Sequence, residues 1–288
     1  MRILITGAFG QLGFALNDVL SDKFDVIRTG RVIPRGLKGM SLNIQDKIYL
    51  NEVIAATSPD LIINLAAMTN VDACERNPEI AKEVNIAGFQ HICDSFKGKI
   101  IQLSTDYVFD GKNGPYKEDD PVCPISVYGK TKLASEKLIF EHSSDNLVIR
   151  GNVLYDDSLY TKASFLNWVV ESLRNNQNIK VVNDQFNNPT WTRSMADIIE
   201  LCIYKNVNGI IHWGDSDHVS RYDFAVMIAE KYSLKSSLIQ PISTEELEQE
   251  ADRPLQSGLI TEKISKMLNV IPPSIDDCLS VIIEKNNQ

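Results

Sequence analysis

Tyr128 and Lys132 are the pair in this sequence best suited to moving a proton. On a helix their spacing puts both on one face, one turn apart. A lysine ammonium beside a phenol favours the phenolate, drawing a group that ordinarily titrates at about 10 toward neutral pH. The phenol could then pass a proton to or from a substrate oxygen. Thr105 follows a predicted strand end, where ligands gather in doubly wound sheets, and its hydroxyl could bond a reacting carbonyl. Tyr-x-x-x-Lys alone is a common pattern whose plain alternative is an amphipathic pair on a surface helix. Thr105-Asp106-Tyr107 upstream is what favours the chemical reading.

A second constellation begins at residue 6, Thr6-Gly7-Ala8-Phe9-Gly10-Gln11-Leu12-Gly13, placed between a strand pattern and a helix pattern. Glycine suits such a turn because the backbone takes unusual angles, approaches a pyrophosphate closely and packs helix on strand. The helix N-terminus adds free amides and a positive dipole end for phosphates. This predicts a dinucleotide site walled by Gly7, Phe9, Gly10, Gln11, Leu12 and Gly13. At the end of the second strand, where NAD-preferring proteins carry a carboxylate, stand Gly30 and Arg31. Loss of the carboxylate removes repulsion toward a 2′-phosphate and a guanidinium can hold it. The pattern favours NADP(H), with NAD(H) open as the second choice. Asn43 and Ile44 join the cofactor set. The alternative for Arg28, Arg31 and Arg35 is a solvated loop.

These residues need a scaffold, and the first half of the chain has its rhythm. Short apolar runs at Arg2 to Thr6, Asp25 to Arg28, Leu61 to Leu65, Lys99 to Ser104 and Leu147 to Arg150 read as strands of a parallel sheet covered on both faces. Helices are expected at Gln11 to Leu20, Lys47 to Ala56, Glu79 to Phe96 and Val127 to His142. After Arg150 the rhythm loosens. Helices at Ser164 to Asn175, Ser194 to Tyr204, Arg221 to Tyr232 and Ser274 to Glu284 alternate with short strands at Lys180 to Asn183 and Ile210 to Trp213. Ser220 and Asp223 mark one helix start. The expected class is α/β: a Rossmann doubly wound parallel sheet over residues 1–151, rejoined by about 192–218, and a smaller α+β substrate lobe from 152–191 and 219–288.

Composition agrees with an enzyme-sized globular body: 288 residues, 43% hydrophobic and 23% charged. The net charge of −9 argues against a general nucleic-acid binder. Five scattered cysteines lack a Cys-x-x-Cys pair, and the four histidines lack ligand spacing, so no metal is assigned. Met1 leads straight into a strand pattern, the apolar stretch is too short for a signal peptide, and no run of about 18 apolar residues occurs. Cytoplasmic location and no membrane association are expected.

Ser104-Thr105-Asp106-Tyr107-Val108-Phe109-Asp110-Gly111 and Val127-Tyr128-Gly129-Lys130-Thr131-Lys132 closely resemble the dTDP-4-dehydrorhamnose reductase family of extended short-chain dehydrogenases. Thr6 to Gly13, Asn64-Leu65-Ala66-Ala67 with Val71-Asp72, Asn183-Asp184-Gln185-Phe186 with Pro189-Thr190, and Arg253-Pro254 extend the resemblance along nearly the whole chain, in the same order. The resemblance implies Thr105, Tyr128 and Lys132 as catalytic residues, with Tyr128 and Lys132 also against the cofactor and Lys132 on the nicotinamide ribose. Leu65, Ala66, Ala67 and Thr69 join the cofactor set, and Asp106, Tyr107, Asn152, Asp184, Gln185 and Arg253 the substrate set. Arg253 could pair with a diphosphate or serve a structural salt bridge.

The implied function is NADPH-dependent reduction of the C4 ketone of a dTDP-linked 4-keto-6-deoxy sugar, as in L-rhamnose precursor synthesis. Another nucleotide-sugar ketoreductase or epimerase is the enzyme alternative. A non-catalytic NADP-binding subunit is the other, since the regulatory subunit of methionine adenosyltransferase resembles this family. A homodimer stays open as the assembly. The chain departs from the family at Val153 and Arg221, where relatives commonly carry tryptophan, which removes an aromatic face for a sugar or base.

Overall fold

The computed structural model describes residues 1–157 and 164–286. The parts of the expected substrate lobe at 158–163 and 287–288 lie outside the described residues. Strands run in chain order as β1 (Arg2–Thr6), β2 (Asp25–Gly30), β3 (Met40–Ser41), β4 (Leu61–Asn64), β5 (Lys99–Thr105), β6 (Leu147–Gly151), β7 (Leu154–Tyr155), β8 (Ile179–Val182), β9 (Phe186–Asn187), β10 (Thr190–Trp191), β11 (Gly209–Trp213), β12 (Val219–Ser220) and β13 (Ile239–Ile242). The helices are α1 (Gln11–Leu20), α2 (Lys47–Thr57), α3 (Val71–Arg76), α4 (Pro78–Lys82), α5 (Gly88–Ser95), α6 (Val127–His142), α7 (Phe165–Arg174), α8 (Thr192–Tyr204), α9 (Arg221–Lys231), α10 (Thr244–Leu247), α11 (Glu262–Leu268) and α12 (Ile275–Asn286).

The main sheet has seven strands in the order β11-β6-β5-β4-β1-β2-β3, all paired in parallel. This is the α/β Rossmann arrangement. Its order reverses between β1 and β4, and ligands settle in the crevice beyond the carboxyl ends of strands at such a point. Continuous apolar runs form these strands because both faces are covered: Ile3 and Ile5 face one core with Leu16 of α1 and Ile199 of α8, while Leu4 and Ile62 face another with Phe89 and Ile92 of α5 and Ile139 of α6. Each such side chain, buried completely, contributes about 1.5–3 kcal/mol.

A third core, around Tyr155, Leu166, Phe224, Ile228, Ile275 and Leu279, belongs to α7, α9 and α12 beside the parallel pair β8–β13. Ser220 and Asp223 form the expected capping box of α9. The segment expected as one helix from Glu79 to Phe96 is α4, a π-helical turn over Glu83–Ala87, and α5. Within the 219–288 stretch, α11 packs back on the main sheet, with Ile264 in the first core. Among the described residues no helix is long and apolar enough to cross a membrane.

The turn from β1 to α1 is tightly fitted. Gly7 has φ +67°, and a Cβ there would lie 2.8 Å from the Ala66 nitrogen; a Cβ at Gly13 would lie 2.4 Å from the Ala8 carbonyl group. Backbone cannot move aside as a flexible side chain can. Gly13→Ala is therefore expected to lower unfolding stability by about 1–3 kcal/mol, as overpacking does. Urea denaturation measures it, and an unchanged midpoint would show that α1 can shift away from β1.

Candidate active site

The carboxyl edge of the sheet carries the predicted chemistry. Thr105 is the last residue of β5, and Asp106 and Tyr107 open the 3₁₀ turn that follows. Tyr128 and Lys132 sit in the first turns of α6, whose N-cap Ser126 accepts from the Gly129 N–H. A Cβ at Gly129 would come 2.1 Å from the Tyr107 carbonyl oxygen, so the absence of a side chain lets α6 press against the turn. The Tyr107 and Tyr128 rings meet edge to face, 5.7 Å between centroids. Asp106 is buried and accepts from the hydroxyls of Thr105 (3.0 Å) and Ser257 (2.5 Å). With its amide nitrogen toward Asp106 Oδ2 (3.1 Å), Asn152 joins the same cluster and accepts from the Asn188 N–H. Thr105, Asp106, Tyr107, Tyr128, Lys132 and Asn152 are thus brought together.

Burial governs the charges here. It raises Asp106 to about 6, against the hydrogen bonds from Ser257 and Thr105. It lowers Lys132 to about 8, opposed by Glu136, and the Lys132 Nζ donates to the Leu103 carbonyl at 2.6 Å. It holds Tyr128 well above the ordinary phenol range, helped by the Asp106 charge, while the Thr105 hydroxyl pulls the other way. The expectation of a lysine-stabilised phenolate is therefore corrected: desolvation outweighs the ammonium, whose hydrogen bond goes to a backbone carbonyl. The phenol is neutral at physiological pH, the form able to donate a proton. The surface-helix alternative is also overturned, since Lys132 and Glu136 are only 4% and 3% exposed.

The residues that hold α6 in place were not singled out from the sequence. Glu136 receives both the Nε and Nη2 of Arg150 on β6 (3.0 and 2.8 Å) and the Ser104 hydroxyl of β5 (2.5 Å). Arg150 Nη1 contacts His212 Nε2 of β11 at 3.3 Å, and His212 Nδ1 lies 3.1 Å from the Tyr116 carbonyl. Burial and the adjacent Arg150 lower His212 to about 3, so it stays neutral, donating through Nδ1 and accepting through Nε2. Asn85, on the π-helical turn, bonds the Met68 backbone on both sides and Thr131 of α6. The one available signal was spacing: Tyr128, Lys132 and Glu136 recur every four residues. Nothing local marks Asn85.

The cofactor candidates line the switch point. Thr6, Asn64 and Gln102 link β1, β4 and β5 by side-chain hydrogen bonds of 2.5 and 2.7 Å just below the edge. Leu65 and Ala66 follow, tied to Thr6, with Ala67 half-buried beside them and Thr69 exposed. Leu12 is buried in the core, and the half-buried Gln11 has a side-chain oxygen with no hydrogen-bond partner. Gly10 caps α1 with no side-chain hydrogen bond, and a Cβ there would find only the Gly7 oxygen, at 3.5 Å. The cradle is open where phosphates would approach and closed by protein at Gly7 and Gly13, which fits a pyrophosphate. Phe9 leans on Gly30. Arg31 and Asn43 are exposed, whereas the Ile44 side chain is buried in the core.

Asp184 and Arg253 line one cavity of about 580 Å³ with Ile125 and Thr244. Asp184 is occupied by the backbone and hydroxyl of Thr244, and the buried Gln185 by Thr244 and Gln249. Arg253 pairs with Asp72 of α3 at 2.9 Å, the structural role weighed for it. Val153 continues from β6, and its carbonyl accepts from the Thr190 N–H.

A family model described as RmlD substrate binding domain matches residues 1–287. The chain belongs to this family. It is similar to the dTDP-4-dehydrorhamnose reductase of Aggregatibacter actinomycetemcomitans, 33% identical, covering 94% of each chain. It is also 30% identical to the methionine adenosyltransferase 2 subunit beta of Xenopus laevis, over 92% of this chain and 82% of that one. A crystal structure of dTDP-4-dehydrorhamnose reductase from Bacillus anthracis in complex with NADP superposes with a TM-score of 0.89 at 27% identity, covering 99% of both chains.

Removing one partner of a buried ion pair leaves the other charge uncompensated and costs about 3–5 kcal/mol. Glu136→Gln should lose stability on that scale in urea denaturation, and adding Arg150→Met should recover part of it. A loss below about 1 kcal/mol for the single variant would match an exposed pair and remove this pair as the tie that seats α6.

Proposed function

We propose that this chain is an NADPH-dependent reductase acting on the C4 ketone of a dTDP-linked 4-keto-6-deoxy sugar. The convergence of Thr105, Tyr128 and Lys132 at the carboxyl edge of the sheet that also carries the glycine turn supports the reading, as does similarity to named reductases. Gly7, Gly10, Gly13 and the α1 amides would hold the pyrophosphate, Ala66 and Ala67 would lie against the dinucleotide, and Lys132 would hold the nicotinamide ribose. The bound cofactor supplies the hydride. Tyr128, a half-buried and neutral phenol, hands its proton to the ketone oxygen as charge develops there, and the Thr105 hydroxyl bonds the same oxygen. Asp106, Tyr107, Asn152, Asp184, Gln185 and Arg253 would serve the substrate in this reading. The substrate lobe in this reading comprises 152–191 and 219–288 without α11, and the setting is cytoplasmic.

A second reading, an NADP-binding regulatory subunit, is favoured by the similarity to the methionine adenosyltransferase subunit. Purified protein with NADPH and a panel of dTDP-, UDP-, GDP- and CDP-linked 4-keto sugars separates the two: nicotinamide absorbance should fall with a dTDP sugar. Tyr128→Phe keeps the ring and removes the acid, so turnover should drop by about 100-fold or more with NADPH binding intact. No consumption with any sugar, or turnover undiminished in Tyr128→Phe, contradicts the proposed chemistry.

A further inference from the structure

The geometry points to Arg28, not Arg31, as the cation that grips the 2′-phosphate of the adenine ribose. This rests on the dinucleotide part of the proposed function and on none of its sugar chemistry. Arg28 lies on β2, two residues before Gly30, so the two positions project to the same face of the strand. Its guanidinium is lodged between two rings, 4.7 Å from the centroid of Phe9 and 5.1 Å from that of Phe14. Phe9 belongs to the glycine turn and leans over both Gly30 and Gly39, where a Cβ would come within 2.8 and 2.5 Å of its ring. The cation is thereby held near the carboxyl end of β2, where the Phe9 ring of the glycine turn takes the space that a side chain at Gly30 would fill.

The state of that cation is what calls for a ligand. Nε and Nη2 of Arg28 are enclosed and have no hydrogen-bond partner. No carboxylate forms an ion pair with Arg28 among the described residues; Asp18 acts on it only at a distance, and burial weakens its hold on the proton. Arg28 as a whole is half-buried, but enclosed nitrogens without an acceptor are costly, and native structures rarely leave them so. A phosphate dianion brought to this edge would satisfy it with charge-assisted hydrogen bonds, for which the planar fork is suited. The flanking rings restrict the side chain, and cation–π attraction adds to its placement. Arg31 offers none of this, since it is exposed to solvent.

Calorimetric titration with adenosine 2′,5′-bisphosphate and with 5′-AMP tests the assignment, since the two ligands differ only in the 2′-phosphate. The parent protein should bind the bisphosphate about 10-fold or more tightly, the worth of a hydrogen bond to a charged group. Arg28→Met, which keeps the apolar stem between the rings, should erase that preference and leave 5′-AMP affinity within about twofold; Arg28→Lys should restore part of it, and Arg31→Ala should keep it. A preference that survives Arg28→Met, an equal loss of both ligands in that variant, or a preference abolished by Arg31→Ala overturns the inference. Should Arg28→Met not fold, the Arg28→Lys and Arg31→Ala arms still decide it. A parent that binds both nucleotides equally also overturns it while leaving the dinucleotide site standing. A parent that binds neither nucleotide and neither NADP nor NAD removes the dinucleotide reading itself, and the inference with it.

Discussion

The ion pair between Glu136 and Arg150 is the interaction on which the rest of the site depends. It spans α6 and β6, takes in Ser104 of β5, and reaches β11 through His212. Neither charge meets water, so the pair is favourable only with nearly every lone pair and proton satisfied, as the surrounding hydroxyl, imidazole and Glu118 carbonyl ensure. Such an arrangement tolerates little sliding. One turn of helix beyond Glu136 toward the N-terminus is Lys132, and one turn beyond that Tyr128, so fixing Glu136 against the sheet fixes where the phenol stands relative to Thr105.

That seating brings a polar helix face into the interior, and burial there outranks the local charges in setting protonation. Lys132 loses affinity for its proton, Tyr128 gains it, and Asp106 is drawn up toward neutrality. A neutral phenol beside a hydroxyl and a weakened ammonium suits delivery of a proton to an oxygen gaining negative charge, the direction a carbonyl reduction requires. The linkage runs against stability. Lys132 binds its proton less well folded than unfolded, so folding is disfavoured as pH falls from its usual range through about 8. Two ion pairs, Arg253 with Asp72 and Arg76 with Glu250, join the 250–253 segment to α3.

Much of this was legible before any coordinates. Parallel strands covered on both faces need continuous apolar runs, and those at Arg2–Thr6 and Lys99–Ser104 read directly as strands, the second observed one residue longer. The glycine turn was legible because backbone clashes at Gly7 and Gly13 leave no other residue type. The short pairs β7–β10 and β9–β12 were not, since two-residue strands carry no period. The π-helical turn inside the helix after Lys82 escaped notice because such a turn has ordinary composition, and with it went Asn85. For Tyr128 the sequence suggested the right neighbours and the wrong balance. Spacing shows that Lys132 is near, but the full burial of Lys132 and the partial burial of Tyr128 are properties of the whole fold.

The sharpest test of that balance is the ionisation of Tyr128 itself, followed by carbon NMR on protein carrying tyrosine labelled at Cζ, with Tyr128→Phe to assign the signal. With burial in control, the Tyr128 resonance keeps the shift of a neutral phenol throughout the range up to and beyond the ordinary tyrosine value of about 10. A transition to phenolate below about 9 would mean that the lysine ammonium governs the site, and would contradict the account of how this fold prepares its proton donor.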